Sequence, residues 1–235
     1  MQNKEKQAQQ ASELGINGCN DYESLIENSD ILFLGVKPVV FPTLLPQIAK
    51  SVKKKNPLVV SMAAGLTTDS IKEMLGYDAK IIRIMPNVNA AIAMSTTAVC
   101  KNEFASDEDL ATIKNLFSSI GLTTEVPENQ FAIFTAIAGC SPAYVYMFID
   151  GLARGAQKMG MNKQKALEIA ASAVIGSASM YAQSNEHPQE LVDKVCSPGG
   201  TTIEGVTTLE EYKFTAGVVK AVENSILKDR ELSKK

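Results

Sequence analysis

One histidine, His187, stands in the whole 235-residue chain, and none of the four cysteines pairs with another at CxxC spacing. A histidine-based catalytic triad and a structural zinc site are therefore not expected. Cys19, Cys100, Cys140 and Cys196 lie far apart, and reduced thiols in a cytoplasmic protein are the simplest reading. A dominant sign of charge is missing too. A net charge of −3 gives no electrostatic footprint for nucleic acid, and Lys53-Lys54-Lys55 reads as a solvated loop. No run approaches the ~20 apolar residues that span a bilayer, and the opening MQNKEKQAQQASELG lacks the core of a signal peptide. The expectation is a chain that engages neither nucleic acid nor membrane. No G-x-G-x-x-G fingerprint occurs anywhere, although a dinucleotide-binding fold carries one in its first strand–helix turn.

What is present divides by texture. The length suggests one large or two ordinary domains, and the apolar fraction is enough to bury a sizeable core. Up to about residue 126, strand-like and helix-like segments alternate. ILFLGV (31–36), LVVSM (58–62) and KIIRIM (80–85) are short runs rich in β-branched residues, of the kind buried in parallel sheets. Helical patterns fall at about 40–53, 67–75 and 106–120. The last opens on Ser106-Asp107-Glu108-Asp109, a capping serine followed by acids that suit the helix dipole. This alternation predicts an α/β layer with crossover connections. From about 128 onward the strands disappear. Residues 142–161 carry a helical apolar stripe, with Ser141 placed to cap it and Pro142 at the first helical position. Residues 163–183 are nearly uncharged after the first turn, as in a helix central to a bundle or an interface. Further helices are expected at about 202–212 and 214–232.

Several strings occur in order: DILFLGVKP (30–38), VVSMAAG (59–65), RIMPN (83–87), AGCSPAYVYMFIDGLARGAQKMGM (138–161), NEHP (185–188) and SPGGTTIEGV (197–206). The succession resembles the pyrroline-5-carboxylate reductases, the last enzymes of proline synthesis, over essentially all of the chain. The resemblance implies a Rossmann-like N-terminal domain over 1–127, here incomplete, and an all-α domain over 128–235 for substrate binding and dimerisation. It also implies reduction of the cyclic imine 1-pyrroline-5-carboxylate to L-proline by NADPH or NADH, in a homodimer often assembled into a ring of dimers. By that comparison the chain begins about one strand–loop–helix–strand late, a piece of roughly 30 residues or more.

The resemblance places Val36-Lys37-Pro38 beside the cofactor's ribose and phosphates, where ligands of open α/β sheets bind. Pro38 equally suits the start of a helix. Ala63-Ala64-Gly65 is small enough for a flat ring to approach the backbone, and Asn87 suits the nicotinamide amide or a water. Many relatives continue Thr-Pro after that asparagine, where this chain has Val88-Asn89. Cys140 and Ser141 replace Ser and Gly, and a helix start there would favour an anion. Glu186 and Lys194 match substrate-pocket positions, Glu186 near the subunit interface and Lys194 where some relatives have Asn. Ser197, Gly199, Gly200, Thr201 and Thr202 form a glycine-rich turn entering a helix, which supplies N–H donors for a carboxylate. Thr202 is assigned to the imine nitrogen as the catalytic contact. The competing reading is a catalytically impaired relative acting as a structural or regulatory dimerisation partner, because the glycine loop that grips a pyrophosphate is missing.

Overall fold

The computed structural model describes residues 4–232. Two compact units divide them. One holds the chain up to Gly139 together with the segment from Ile226 onward, and the other is Cys140–Ser225.

The first unit opens with helices α1 (Lys4–Leu14) and α2 (Tyr22–Glu27) and contains a five-stranded sheet in the order β1-β2-β3-β4-β5. The strands are β1 (Ile31–Leu34), β2 (Leu58–Ser61), β3 (Ile81–Met85), β4 (Ser95–Lys101) and β5 (Gly121–Glu125). β1, β2 and β3 are parallel, with Leu34 opposite Ser61 and Ser61 opposite Arg83. The helices α3 (Phe41–Lys55) and α4 (Thr68–Leu75) make the two crossovers. β3 and β4 run antiparallel, because residues 86–94 are too few for a crossover, which takes a dozen or more. They fold instead as a 3-10 turn, Val88–Ile92, closed by Ala93 at φ 56°. Parallel pairing returns at β5 through α5 (Asp107–Ser118). Both β4 and β5 escape the sequence reading. TTAVC sets threonines ahead of its few apolar residues, and GLTTE is half-exposed with no apolar run.

Strand periodicity explains the two cores. Val59 and Ile81 face one side, where Phe41, Leu45 and Val52 of α3 and Ile71 of α4 cover them. Val60 and Ile82 face the other, covered by Ile113 and Leu110 of α5. Positions 41, 44, 45, 48 and 52 of α3 are all buried, the stripe expected of an amphipathic helix. Each such side chain contributes about 1.5–3 kcal/mol on burial. Ser106 caps α5 as the sequence predicts, accepting from the Asp109 N–H while Asp109 accepts from the Ser106 N–H.

One charge is buried in this unit. Arg83 is 5% exposed. Its guanidinium lies 4.5 Å from the centre of the Phe131 ring and donates from Nη1 to Glu128 Oε1 at 3.3 Å. Glu128 also accepts from the Thr68 N–H and hydroxyl, both at 2.8 Å. The network joins the turn after β5 to β3 and to the start of α4.

The second unit is helical: α7 (Ser141–Lys158), α8 (Lys163–Ala182), α9 (Pro188–Val195), α10 (Thr201–Glu211) and α11 (Phe214–Leu232), the last of which runs on beyond Ser225. α7 and α8 pack on each other. The Tyr144 and Ser225 hydroxyls are 2.7 Å apart, and the Phe148 and Phe214 rings 5.9 Å. Few side chains are buried. Met147 is 74% exposed, Ile175 63% and Met180 69%.

The expected helix start at Ser141 is not found. α6 (Phe131–Phe134) continues through a π-helical segment, Thr135–Cys140, into α7, so Ser141 caps nothing and no free first turn exists there. The continuous helical stretch Glu128–Lys158 is also long and apolar enough to cross a membrane by length and composition. This corrects the expectation that no run reaches that length, because Thr135, Ser141 and Pro142 break the apolar count without adding charge.

Candidate functional site

The parallel register of β1, β2 and β3 brings their carboxyl ends to one edge of the sheet. Three sequence-predicted segments lie there. Val36, Lys37 and Pro38 follow β1, all exposed, with Pro38 opening a 3-10 turn that no side chain caps. Ala63-Ala64-Gly65 follows β2. Ala63 is buried, Ala64 is exposed, and Gly65 takes a φ of 77°, which favours glycine. Ser61 Oγ holds the turn by accepting from the Ala63 N–H at 3.3 Å.

Asn87 follows β3 and is half-buried. Its carboxamide is engaged at both ends. Oδ1 accepts from the Thr96 N–H at 3.2 Å, and Nδ2 donates to the Ala138 carbonyl at 3.0 Å. One amide hydrogen and one lone pair remain for other partners. Cys100 of β4 is buried nearby in sequence order. Burial, with the Glu128 carboxylate, pushes its thiol up to about 12, so it stays protonated and is no nucleophile.

The second group of residues lies in the helical unit. Ser197-Pro198-Gly199-Gly200 is a tight turn closed by the Gly200 N–H to the Ser197 carbonyl at 3.0 Å. Gly199 has φ 65°, the position where a Pro-Gly turn of type II demands glycine. A Cβ on Gly200 would fall 2.4 Å from Ser197 Oγ. Gly199 is thus required by its backbone angle, while a Cβ at Gly200 would displace the Ser197 hydroxyl and crowd its carbonyl at 3.1 Å. The turn delivers the chain into α10 with Gly200 at the N-cap and no side-chain cap bond. The first-turn N–H groups at Thr201 and Thr202 therefore face outward without a side-chain acceptor, and both threonines are exposed. α9 precedes the turn. His187 caps it, Nδ1 accepting from the Gln189 N–H at 3.2 Å and the backbone N–H donating to Glu190, so the one imidazole is spent on capping. Glu186 and Lys194 form an ion pair across this helix.

The structure therefore gathers Val36, Lys37, Pro38, Ala64 and Asn87 at one sheet edge, and Glu186, Lys194, Ser197, Gly199, Gly200, Thr201 and Thr202 around α9 and α10. Sequence reading missed the Arg83–Glu128–Thr68 network and the Asn87–Ala138 bond. The second had a signal: Pro142 stands four residues after Ala138 and has no N–H to give it. A groove lined by Asp30, Lys55, Lys80 and Asp109 lies at the opposite, amino ends of β1 and β2, away from the first group.

Residues 128–232 match the family model for pyrroline-5-carboxylate reductase dimerisation, and residues 1–65 match that for NADP oxidoreductase, coenzyme F420-dependent. The pyrroline-5-carboxylate reductase of Escherichia coli (strain K12) is 41% identical over 222 residues, spanning 94% of this chain and 82% of that protein. The solved 1-pyrroline-5-carboxylate reductase of Streptococcus pyogenes superposes with a TM-score of 0.89 at 38% identity, covering 98% of this chain and 87% of that one. The Plasmodium falciparum pyrroline carboxylate reductase, solved with NADP bound, gives 0.85 at 31% identity, covering 93% and 82%. These likenesses run through both units and do not favour the non-catalytic alternative. The chain belongs to the pyrroline-5-carboxylate reductase family.

Proposed function

We propose that this protein reduces 1-pyrroline-5-carboxylate to L-proline with NADPH or NADH. The observation that carries the reading is the uncapped start of α10, entered through a turn that needs glycine at 199. A helix start of this kind offers N–H donors and a partial positive charge to an anion, here the substrate carboxylate. Ser197, Gly199, Gly200 and Thr201 form that cradle. Glu186 and Lys194 complete the pocket as a charged pair. The Thr202 hydroxyl bonds to the ring nitrogen as it turns from iminium to amine. The imine enters protonated, so no strong base is needed, in keeping with a histidine committed to capping.

The sheet edge fits the nicotinamide and ribose end of a dinucleotide. Its loops follow parallel strands and are bare of bulky side chains at Ala63-Ala64-Gly65, and Lys37 adds a cation. Val36, Lys37, Pro38, Ala64 and Asn87 hold that end. The bound cofactor supplies a hydride to the imine carbon, whose C=N bond electrons pass to nitrogen as the amine forms. The protein's part is alignment, a large share of such catalysis.

The domain roles follow: residues 1–127 serve the dinucleotide, and residues 128–235 the substrate and a second copy of the chain. The exposed apolar faces of α7 and α8 support a homodimer, with a ring of dimers as its further assembly. The four free cysteines support a cytoplasmic location, without nucleic acid or membrane as partner. The test is oxidation of NADPH or NADH by the purified chain on addition of the cyclic imine, with equal formation of L-proline. A folded dimer that binds neither dinucleotide nor imine would sink the reading. Thr202→Ala should lower kcat about 10- to 100-fold with a smaller change in KM.

A further inference from the structure

Pro142 lies within the helical stretch Glu128–Lys158. In an α-helix its N–H would go to the Ala138 carbonyl, but proline has none, and its ring crowds that carbonyl. Just ahead of it the helix widens into the π-helical segment Thr135–Cys140, a feature that recurs at functional sites. Ala138 is 7% exposed, so an unpaired carbonyl there would be costly. Asn87 supplies the donor instead, at 3.0 Å. The same side chain is held from the other side. Its Oδ1 accepts from Thr96, its own N–H meets Ser95 Oγ at 3.4 Å, and that buried hydroxyl pairs with Thr97 Oγ1 at 2.9 Å. One carboxamide thus ties the end of β3 and the start of β4 to the helical segment in which one compact unit gives way to the other, between Gly139 and Cys140.

We infer that Asn87 is a positioning residue for hydride transfer: by holding the Ala138 carbonyl it fixes the π-helical segment around Ala138 to the sheet end that takes the nicotinamide. The inference rests on the reductase reading and adds to it a second duty for Asn87, separate from any touch on the cofactor. The two duties use different hydrogens and lone pairs of one carboxamide. The hydrogen and lone pair facing Ala138 and Thr96 are committed, and only the remaining ones are available to a ligand.

Asn87→Asp removes the bond to Ala138, together with the second Nδ2 hydrogen. It keeps an acceptor for Thr96 but replaces the donor to Ala138 with a carboxylate oxygen. In the full chain, kcat should fall about 10- to 100-fold, the scale of a small misalignment. The Kd for NADPH should rise by a much smaller factor than kcat falls, since the clamp is a loss of alignment beyond any lost cofactor contact. The isotope effect with 4-deuterated NADPH should rise as hydride transfer becomes rate-limiting. Unchanged kcat would overturn the inference, as would a raised Kd with unchanged kcat, which marks a cofactor contact alone. Should Asn87→Asp fail to fold, Asn87→Ser, too short to reach Ala138, gives the same measurements. A wild-type chain without turnover would defeat the reductase reading and with it the role in hydride transfer, but not the clamp on Ala138. Amide hydrogen exchange across 135–141 then decides: faster exchange in Asn87→Ser upholds the clamp, and unchanged exchange removes it.

Discussion

The sheet unit and the helical unit solve burial in opposite ways. In the first, Phe41, Leu45, Ile71, Ile81, Ile82 and Ile113 are closed off from solvent within one chain. In the second, α7 and α8 are rich in apolar residues, yet Ala153, Ala166 and Ala170 are among the few that are buried, while Met147, Ile175 and Met180 stand open. Small buried alanines let α7 and α8 approach closely, and the large side chains point elsewhere. A monomeric surface seldom carries so much contiguous apolar area. The lesson is that one unit closes its large apolar side chains inside a core, whereas the other, within the stretch that matches a dimerisation family, leaves them open.

That contrast can be broken by substitution. The largest effect should come from Phe41→Ala, which empties the space between α3 and the sheet and should cost about 3–5 kcal/mol in chemical denaturation. The loss should not depend on protein concentration. Next comes Glu128→Ala, which strands the buried Arg83 guanidinium. A loss of about 2–3 kcal/mol is expected, reduced from the fully buried case because Glu128 is partly exposed. Ile175→Glu, on the open face of α8, should weaken the dimer by about 2 kcal/mol, or roughly 30-fold in its dissociation constant by analytical ultracentrifugation. Its melting temperature should depend on concentration, unlike that of Phe41→Ala. A concentration-independent loss at Ile175 would erase the distinction between the units.

The smallest effect concerns the α5 cap. Ser106→Ala should cost about 1 kcal/mol. Burial opposes ionisation of Asp109, but hydrogen bonds from the Ser106 N–H and hydroxyl, with Lys80 and Lys101 nearby, outweigh it and lower its pKa below the usual 3.8. A lowered folded pKa means the carboxylate stabilises the fold above that value. The contribution is lost as pH falls through the folded pKa. Stability of the wild type should therefore drop below about pH 4 more steeply than that of Asp109→Asn, followed by acid titration of the circular dichroism signal.

Legibility tracked local chemistry. The cap at Ser106 was readable because Ser-x-x-Asp is a closed local motif, and β1, β2 and β3 because each is a β-branched run. β4 and β5 were not, since their identity depends on pairing with distant strands. The start of α7 was misread for the same reason. Ser141-Pro142 carries the local marks of a helix start, but the preceding residues are already helical and the missing proline donor is replaced from Asn87, 51 residues away. At the candidate site, the positive φ of Gly199 agrees with what SPGGTT suggests. The ion pair of Glu186 with Lys194 and the double engagement of Asn87 are tertiary facts that no spacing reveals.

The central claim is that this chain delivers hydride from a nicotinamide to a cyclic imine. A single-turnover reaction of the full chain with 1-pyrroline-5-carboxylate and 4-deuterated NADPH, of the face the enzyme uses, tests it most directly. The account predicts L-proline carrying one deuterium at the former imine carbon, in step with cofactor oxidation. Proline without the label, or no proline from a folded chain that binds both ligands, would contradict it.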